Sequence, residues 1–283
     1  MLSKEINENV LRTLLPQRSR QSYKNNFGHS FIIAGNQEMG GAGQIAASAC
    51  VNAGSGLTTV VTDSINLPAI HSQLPETMVI SNSNNLAYLK AQLQSADHIL
   101  IGPGLGQDQE DWARLVDLIK SVDAKIPLVL DADAITFYSQ AGSSIQAVFK
   151  MHPLIMTPHL GEWRRLCQEK ISSEDNDSIQ KWVDQEGVFL LLKSSRSRIF
   201  MPQSNFYYQN TFGNPAMATG GMGDCLAGLV TACLGQVASI ADAIALAMGL
   251  HSYTGDKLAQ KHYVVRPSQL AQKLPLVMHE LAN

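Results

Sequence analysis

The stretch Asn214 to Leu229, "NPAMATGGMGDCLAGL", holds four glycines and one carboxylate directly ahead of a strongly apolar helical run. Gly220, Gly221 and Gly223 at the mouth of a helix let several backbone N–H groups converge with the positive end of the helix dipole. Without Cβ atoms in the way, a phosphate can approach that backbone, and the φ > 0 turns of an anion-binding nest are accessible. The segment Gly220, Gly221, Met222 and Gly223 therefore reads as an anion hole. No Lys follows it, so it is not a Walker A loop. Asp224 would repel a phosphate held there. It makes sense as the acceptor of a proton from a hydroxyl that attacks the bound phosphoryl group. The plainer alternative, a first-turn helix charge worth about 0.3–1 kcal/mol, does not call for three glycines beside it.

Upstream of this element, apolar runs alternate with helical periodicity. "FIIAG" (31–35), "LTTVVT" (57–62), "HILIG" (98–102), "PLVLD" (127–131), "LIMT" (154–157) and "VFLLLK" (188–193) read as buried strands, the first beginning near Phe31. "GQIAASACVNA", "QEDWARLVDLIKS" and "GEWRRLCQEK" lie between them as helices. That order implies a mostly parallel sheet covered on both faces. "RIFMP" and "FYYQN" read as a hairpin before the chain turns helical for good.

Ligands of such sheets bind outside the carboxyl ends of the strands. Four unusual segments fall there: "GNQEMGGAG", "GPGLG", "DADA" and "TPHLGE". Gly41 to Ala46 matches a G-x-G-x-x-A dinucleotide fingerprint with Asp63 downstream, but it arrives six residues after its strand instead of turning directly off it. Close helix packing through small residues is the competing account, and the paired Gly40 and Gly41 beside Ala42 suggest ligand approach. "IGPGLG" offers a tight turn or bare backbone for a ligand. Asp131 and Asp133 point the same way if their strand continues; one is suited to capping a helix and the other to holding magnesium through water. His159 and Glu162 open a helix, and an imidazole at the ligand edge is a useful hydrogen-bonding group.

The remaining composition narrows the partners. A formal charge of −3 with no basic run gives no footprint for nucleic acid or an anionic membrane. No apolar run approaches the roughly 20 residues that span a bilayer, so a cytoplasmic protein is expected. Cys50, Cys167, Cys225 and Cys233 show neither C-x-x-C spacing nor neighbouring His pairs and read as reduced core thiols. With 45% hydrophobic content, the 283 residues suit one domain spanning 1–283.

The G-x-G-D element resembles the ribokinase-like superfamily of small-molecule kinases. Together with "IIAGNQEMGGAGQIAASACVNAGSGLTTV", "PETM", "IGPGLG", "LDADAI", "TPHLGE" and "LLK" in order, the chain resembles the ADP-dependent (S)-NAD(P)H-hydrate dehydratases over nearly its whole length. The resemblance implies a three-layer α/β/α ribokinase-like fold with a mostly parallel central sheet. It implies repair of NADH and NADPH hydrated at C6: ADP, with Mg2+, phosphorylates the C6 hydroxyl, and loss of phosphate restores the reduced cofactor and leaves AMP. Ala42, Gly104, His159 and Asp224 would contact the hydrated cofactor, with Asp224 as base. Lys193, Ser194, Ser195, Arg196, Ser197 and Gly223 would hold the nucleotide. No residue is assigned as a metal ligand. Lys193-Ser194-Ser195 departs from the family's usual Lys-Gly-Ala, and Met39 stands where an aromatic is common. A homotetramer is implied by family alone. With the first strand near Phe31 there is no room for the fused epimerase domain of many relatives, so a separate epimerase is expected. The alternative is a plain small-molecule kinase acting on a thiazole alcohol or pyridoxal-like substrate, which would leave a stable phosphoester.

Overall fold

The computed structural model describes residues 1–283. Its strands are β1 (Leu2–Ile6), β2 (His29–Ile33), β3 (Leu57–Thr62), β4 (Met78–Ser81), β5 (His98–Ile101), β6 (Leu128–Leu130), β7 (Leu154–Met156), β8 (Phe189–Leu192), β9 (Arg198–Phe200) and β10 (Phe206–Asn210). They form one sheet in the order β1-β10-β9-β8-β7-β6-β5-β2-β3-β4. Every pairing is parallel except those of β9 with β8 and β10. The six apolar runs read from the sequence are β2, β3, β5, β6, β7 and β8, and the expected hairpin is β9 with β10.

Period-two alternation sets the layers, because successive side chains of a strand face opposite ways. Ile32, Val60, Leu100, Val129 and Ile155 enter one core, against α1 (Glu8–Leu14), α2 (Gly40–Asn52), α3 (Leu67–Gln73), α10 (Met222–Leu234), α11 (Ile240–Ala259) and α12 (Pro267–Ala282). Phe31, Ile33, Val61, Ile99 and Leu128 enter the other, against α4 (Leu86–Leu93), α5 (Gln109–Ile119), α6 (Asp133–Gln140), α7 (Ser143–Lys150), α8 (Leu160–Leu166) and α9 (Asn176–Glu186). Helices cover both faces, which makes the three-layer ribokinase-like arrangement. No helix is long and apolar enough to cross a membrane. All four cysteines are buried and unpaired.

Two expectations need correction. The first strand is not near Phe31: β1 pairs in parallel with β10 from Leu2↔Phe206 to Ile6↔Asn210. Its sequence "LSKEI" buries only Ile6, so an edge strand with a wet surface carries no apolar run to reveal it. Nor does the strand at "DADA" continue. β6 ends at Leu130, Ala132 takes φ +49° and ψ −115°, and α6 starts at Asp133. This sparsely populated backbone for a side-chain-bearing residue sends the two carboxylates to different partners.

The chain builds β2, β3 and β4 outward in one direction, then returns to place β5 on the other side of β2. The strand order thus reverses between β2 and β5, the switch point at which open α/β sheets bind ligands. Gly35 N–H donates to Pro103 O at 2.8 Å and Asn36 N–H to Gly104 O at 2.6 Å, tying the loops after β2 and β5 together at the base of the crevice there.

Candidate active site

Backbone shape dominates the β2/β5 crevice. Gly102, Gly104 and Gly106 have φ of +129°, +62° and +81°, conformations that L side chains rarely adopt. A Cβ on Gly104 would lie 2.9 Å from the Ala42 Cβ and 2.7 Å from the Met39 carbonyl oxygen. The sequence-predicted Ala42 and Gly104 are therefore immediate neighbours. Gly40 has a packing role, because a Cβ there would strike the Asn66 amide at 2.0 Å, whereas Gly41 faces open space. Gly43 lies against the Ala34 backbone and Gly228 of α10 against Ala46. The small residues of "GGAGQIAA" thus serve close helix packing as well as leaving open backbone at Gly41. Asp133 holds the "GPGLG" turn: its Oδ2 accepts the Gly106 N–H at 2.8 Å.

Across the crevice, charged side chains converge from three adjacent strands. Asp131 follows β6, Thr157 and His159 follow β7, and Lys193 follows β8. Lys193 Nζ lies 2.7 Å from Asp131 Oδ1, which also accepts the Thr157 hydroxyl at 2.7 Å. Asp131 Oδ2 is buried without a partner. A Cβ built on Gly223 would sit 3.3 Å from Lys193 Nζ and 3.9 Å from Asp131 Oδ2. The ammonium group therefore stands directly beside the predicted anion hole.

The predicted hole falls at the start of α10. Gly221 is its N-cap, at φ +88°, and no side chain caps the helix. The N–H groups of Gly220, Gly221, Met222 and Gly223 meet no backbone acceptor. They are the orphan donors that a helix start leaves for a ligand. Pro267 and Ile45 press against Gly221, where a Cβ would come within 3.0 Å of each. The preceding "GNP" turn is fixed by Asp256, which accepts from Gly213 N–H at 3.0 Å and from the Asn214 amide at 2.6 Å.

Burial first, and then the charge of Asp131, push the Asp224 carboxyl up to about 6; Lys193 opposes the shift. Burial likewise carries Glu162 up to about 7. Lys193 loses hydration by burial, but Asp131, Glu162 and Asp224 together hold its affinity for the proton above the ordinary value. Around neutral pH the ammonium is charged, and Asp224 is largely ionised yet basic enough to take a proton.

Lys193, Ser194, Ser195, Ser197, His159 and Gly223 line one cavity of about 580 Å³ with Phe212, Met217, Met248 and His251, a volume suited to a small-molecule ligand. Arg196 is not part of that lining. Its N–H donates to Ser194 Oγ at 3.2 Å in a serine-rich turn, and its side chain is exposed. His251 was not singled out from the sequence because it lies within the apolar run of α11; burial lowers its imidazole to about 4. Thr157 was visible only as part of "TPHLGE", and Glu162 only as a first-turn residue of its helix.

A mostly parallel sheet covered by helices on both faces, with an uncapped helix start, a lysine and a carboxylate of raised proton affinity at its carboxyl edge, is the arrangement of the ribokinase-like class. Comparison with known proteins narrows the class. A sequence model of the family described as NAD(P)H-hydrate dehydratase matches residues 30–276. The ADP-dependent (S)-NAD(P)H-hydrate dehydratase of Staphylococcus aureus is 39% identical over 269 residues, 95% of each chain. A ribokinase-like superfamily protein of Enterococcus faecalis matches 99% of this chain and 96% of its own, with TM-score 0.91 and 37% identity. The ADP/ATP-dependent NAD(P)H-hydrate dehydratase of Bacillus subtilis, crystallised with ATP and Mg2+, matches 97% of both chains with TM-score 0.83 and 26% identity. The chain belongs to the NAD(P)H-hydrate dehydratase family.

Proposed function

We propose that this chain, acting as one domain over residues 1–283, restores NADH and NADPH from the S epimer of their C6-hydrated forms, with ADP as phosphoryl donor. The observation that carries the reading is the placement of Lys193 and Asp224 around the uncapped start of α10. The hydrated nicotinamide lies across Ala42 and Gly104 with its C6 hydroxyl toward Asp224, while Lys193, Ser194, Ser195, Ser197 and Gly223 hold ADP. Arg196, exposed on the turn beside that cavity, is the nucleotide contact of this set that lies outside its lining.

In the first step the Asp224 carboxylate takes the C6 hydroxyl proton. The oxygen forms a bond to the β-phosphorus of ADP, and the bond to AMP breaks. The N–H groups of Gly220 to Gly223 and the Lys193 ammonium face the charge that develops on the transferred group. In the second step the lone pair of the ring nitrogen expels phosphate from C6, a far better leaving group than hydroxide, and loss of a C5 proton restores the reduced ring. Phosphorylation is thus the activation that lets a kinase-like site perform a dehydration.

No cluster of three or more metal-binding side chains is present, so the site offers no all-protein cage. It does fit a magnesium ion carried on the nucleotide's phosphates. The unpartnered Asp131 Oδ2 would accept hydrogen bonds from the ion's waters. When bound, the ion supplies positive charge to the phosphoryl oxygens. A homotetramer and a separate epimerase that feeds the S epimer complete the proposal.

Incubation with hydrated NADH and either ADP or ATP, followed by the return of NADH absorbance, tests the function. The expected result is NADH, AMP and phosphate in equal amounts with ADP, and a higher kcat/KM for ADP than for ATP. A stable phosphoester without NADH would instead mark a plain kinase, and an ATP preference above about tenfold, about 1.4 kcal/mol, would overturn the donor assignment.

A further inference from the structure

We propose that His159 serves this reaction as a hydrogen-bond donor through Nε2, locked in that tautomer by the first turn of α8, and never as a base. The inference rests on the functional reading above and gives one of its contacts a definite chemical role.

His159 is the N-cap of α8. Its Nδ1 accepts the N–H of Gly161 at 2.9 Å and leans on that of Glu162 at 3.4 Å. A proton on Nδ1 would confront both donors, so this nitrogen stays bare. A neutral imidazole must then carry its hydrogen on Nε2. Doubly protonated imidazolium is disfavoured as well: partial loss of hydration at the cavity wall, with Lys193 and Arg165 close by, holds the ring below its usual proton affinity.

The backbone clamps the ring's origin. Glu162 Oε2 accepts the His159 N–H at 2.8 Å, which closes a reciprocal capping box. The His159 carbonyl accepts from Trp163 N–H at 2.9 Å, and the residue bridges Lys193 in parallel. Beyond the clamp, the side chain is 57% exposed and lines the cavity that holds Lys193 and Gly223. Glu162 Oε1, an oxygen of the same buried carboxylate, lies 3.4 Å from Nε2. A tautomer-locked donor at this position suits an oxygen acceptor of the ligands. Two oxygens have that chemistry, one on the transferring phosphoryl group and one on the nicotinamide carboxamide.

The tautomer is measurable without substrate. Long-range 1H–15N correlation on ligand-free protein labelled at histidine should show His159 with a protonated Nε2 and a bare Nδ1 at pH 7.5. The opposite tautomer would overturn the proposal, and this result does not depend on whether the dehydratase reading holds. Two variants then separate the roles on the full chain. H159Q keeps an amide nitrogen near the Nε2 position but gives up the cap, so it should melt below wild type and lose less than about tenfold in kcat/KM. H159N keeps the cap but falls short, so it should melt like wild type and lose about 10- to 100-fold, the span of one lost hydrogen bond to a polar or charged partner. A weaker Kd for ADP in H159N would place the acceptor on the phosphoryl group, and a raised KM for hydrated NADH alone would place it on the carboxamide; both support the donor role. If both variants lose about 10²–10⁴ in kcat, the span of general-base catalysis, His159 is a base. If H159N matches wild type while H159Q is impaired, only the cap matters. Either result overturns the proposal.

Discussion

The β2/β5 crevice and the β6/β7/β8 side of the same sheet edge use opposite materials. The crevice is shaped by backbone, with three glycines at positive φ and Ala42 against Gly104. The other side gathers Asp131, Glu162, Lys193 and Asp224 in partly or wholly buried positions. Backbone shape can bind a flat, uncharged ring but can do little chemistry. Buried charges can move protons and stabilise a phosphoryl group, at the cost of desolvation. On the proposed function, substrate recognition falls to the first region and bond making to the second, and substitutions should separate them kinetically.

Asp224→Asn should have the largest effect. It keeps the side chain's shape while removing its basicity, so kcat should fall about 10²–10⁴. Affinity for ADP should stay within a few-fold or tighten, because a negative charge near the phosphates is gone. Calorimetric titration with ADP beside the rate assay measures both.

Lys193→Ala should lower kcat/KM about 10²–10³, the usual loss when one electrostatic partner of the reacting group is removed. It also strands buried Asp131, so the melting temperature should drop with the rate. Lys193→Met, which retains the aliphatic stem, should lose a similar factor in rate. If both variants lose stability but little activity, the ion pair belongs to the scaffold and the division between the two halves breaks.

Gly104→Ala probes the other half. The new methyl meets the Met39 carbonyl and Ala42 in a backbone region hostile to side chains. The expected outcome is a KM for hydrated NADH raised about 10- to 100-fold, on the scale of one lost contact, with kcat changed much less. A fall in kcat at constant KM would mean that the crevice takes part in the chemistry.

The smallest effect is on stability. Because the folded-state pKa of Asp224 is raised, the folded protein binds the extra proton, and stability is lost as pH rises from about 4 through about 6. Asp224→Asn should thus be more stable than wild type at pH 8, by about 1–3 kcal/mol at most. The gain should vanish near pH 4, where both side chains are neutral. Melting curves across that range give the comparison.

The contrast also explains what the sequence disclosed. The crevice was legible because glycine and proline punctuate the ends of apolar runs, and those signals are local. The uncapped glycine-rich start of α10 and the carboxylate in its first turn were legible for the same reason. The charged half was legible only in fragments. Asp131, Thr157 and Lys193 are separated by 26 and 36 residues, and they meet because β6, β7 and β8 are neighbours, which no local pattern encodes. The divergence of Asp131 from Asp133 hangs on one unusual backbone angle at Ala132, a residue type that gives no warning of it. β1 escaped notice because it trades apolar pattern for pairing at a solvated edge.

The central claim, that Asp224 is the base on the charged half of the groove, is tested most directly by the pH dependence of kcat for hydrated NADH with saturating ADP between pH 5 and 8. A base at about 6 must lose its proton to act, so kcat should rise through pH 6 and level off above about 7. Glu162, the other carboxyl raised into this range, is removed as a source of the limb by Glu162→Gln, which should leave it in place. A wild-type profile flat from pH 5 to 8, or a limb that disappears in Glu162→Gln, would contradict the account.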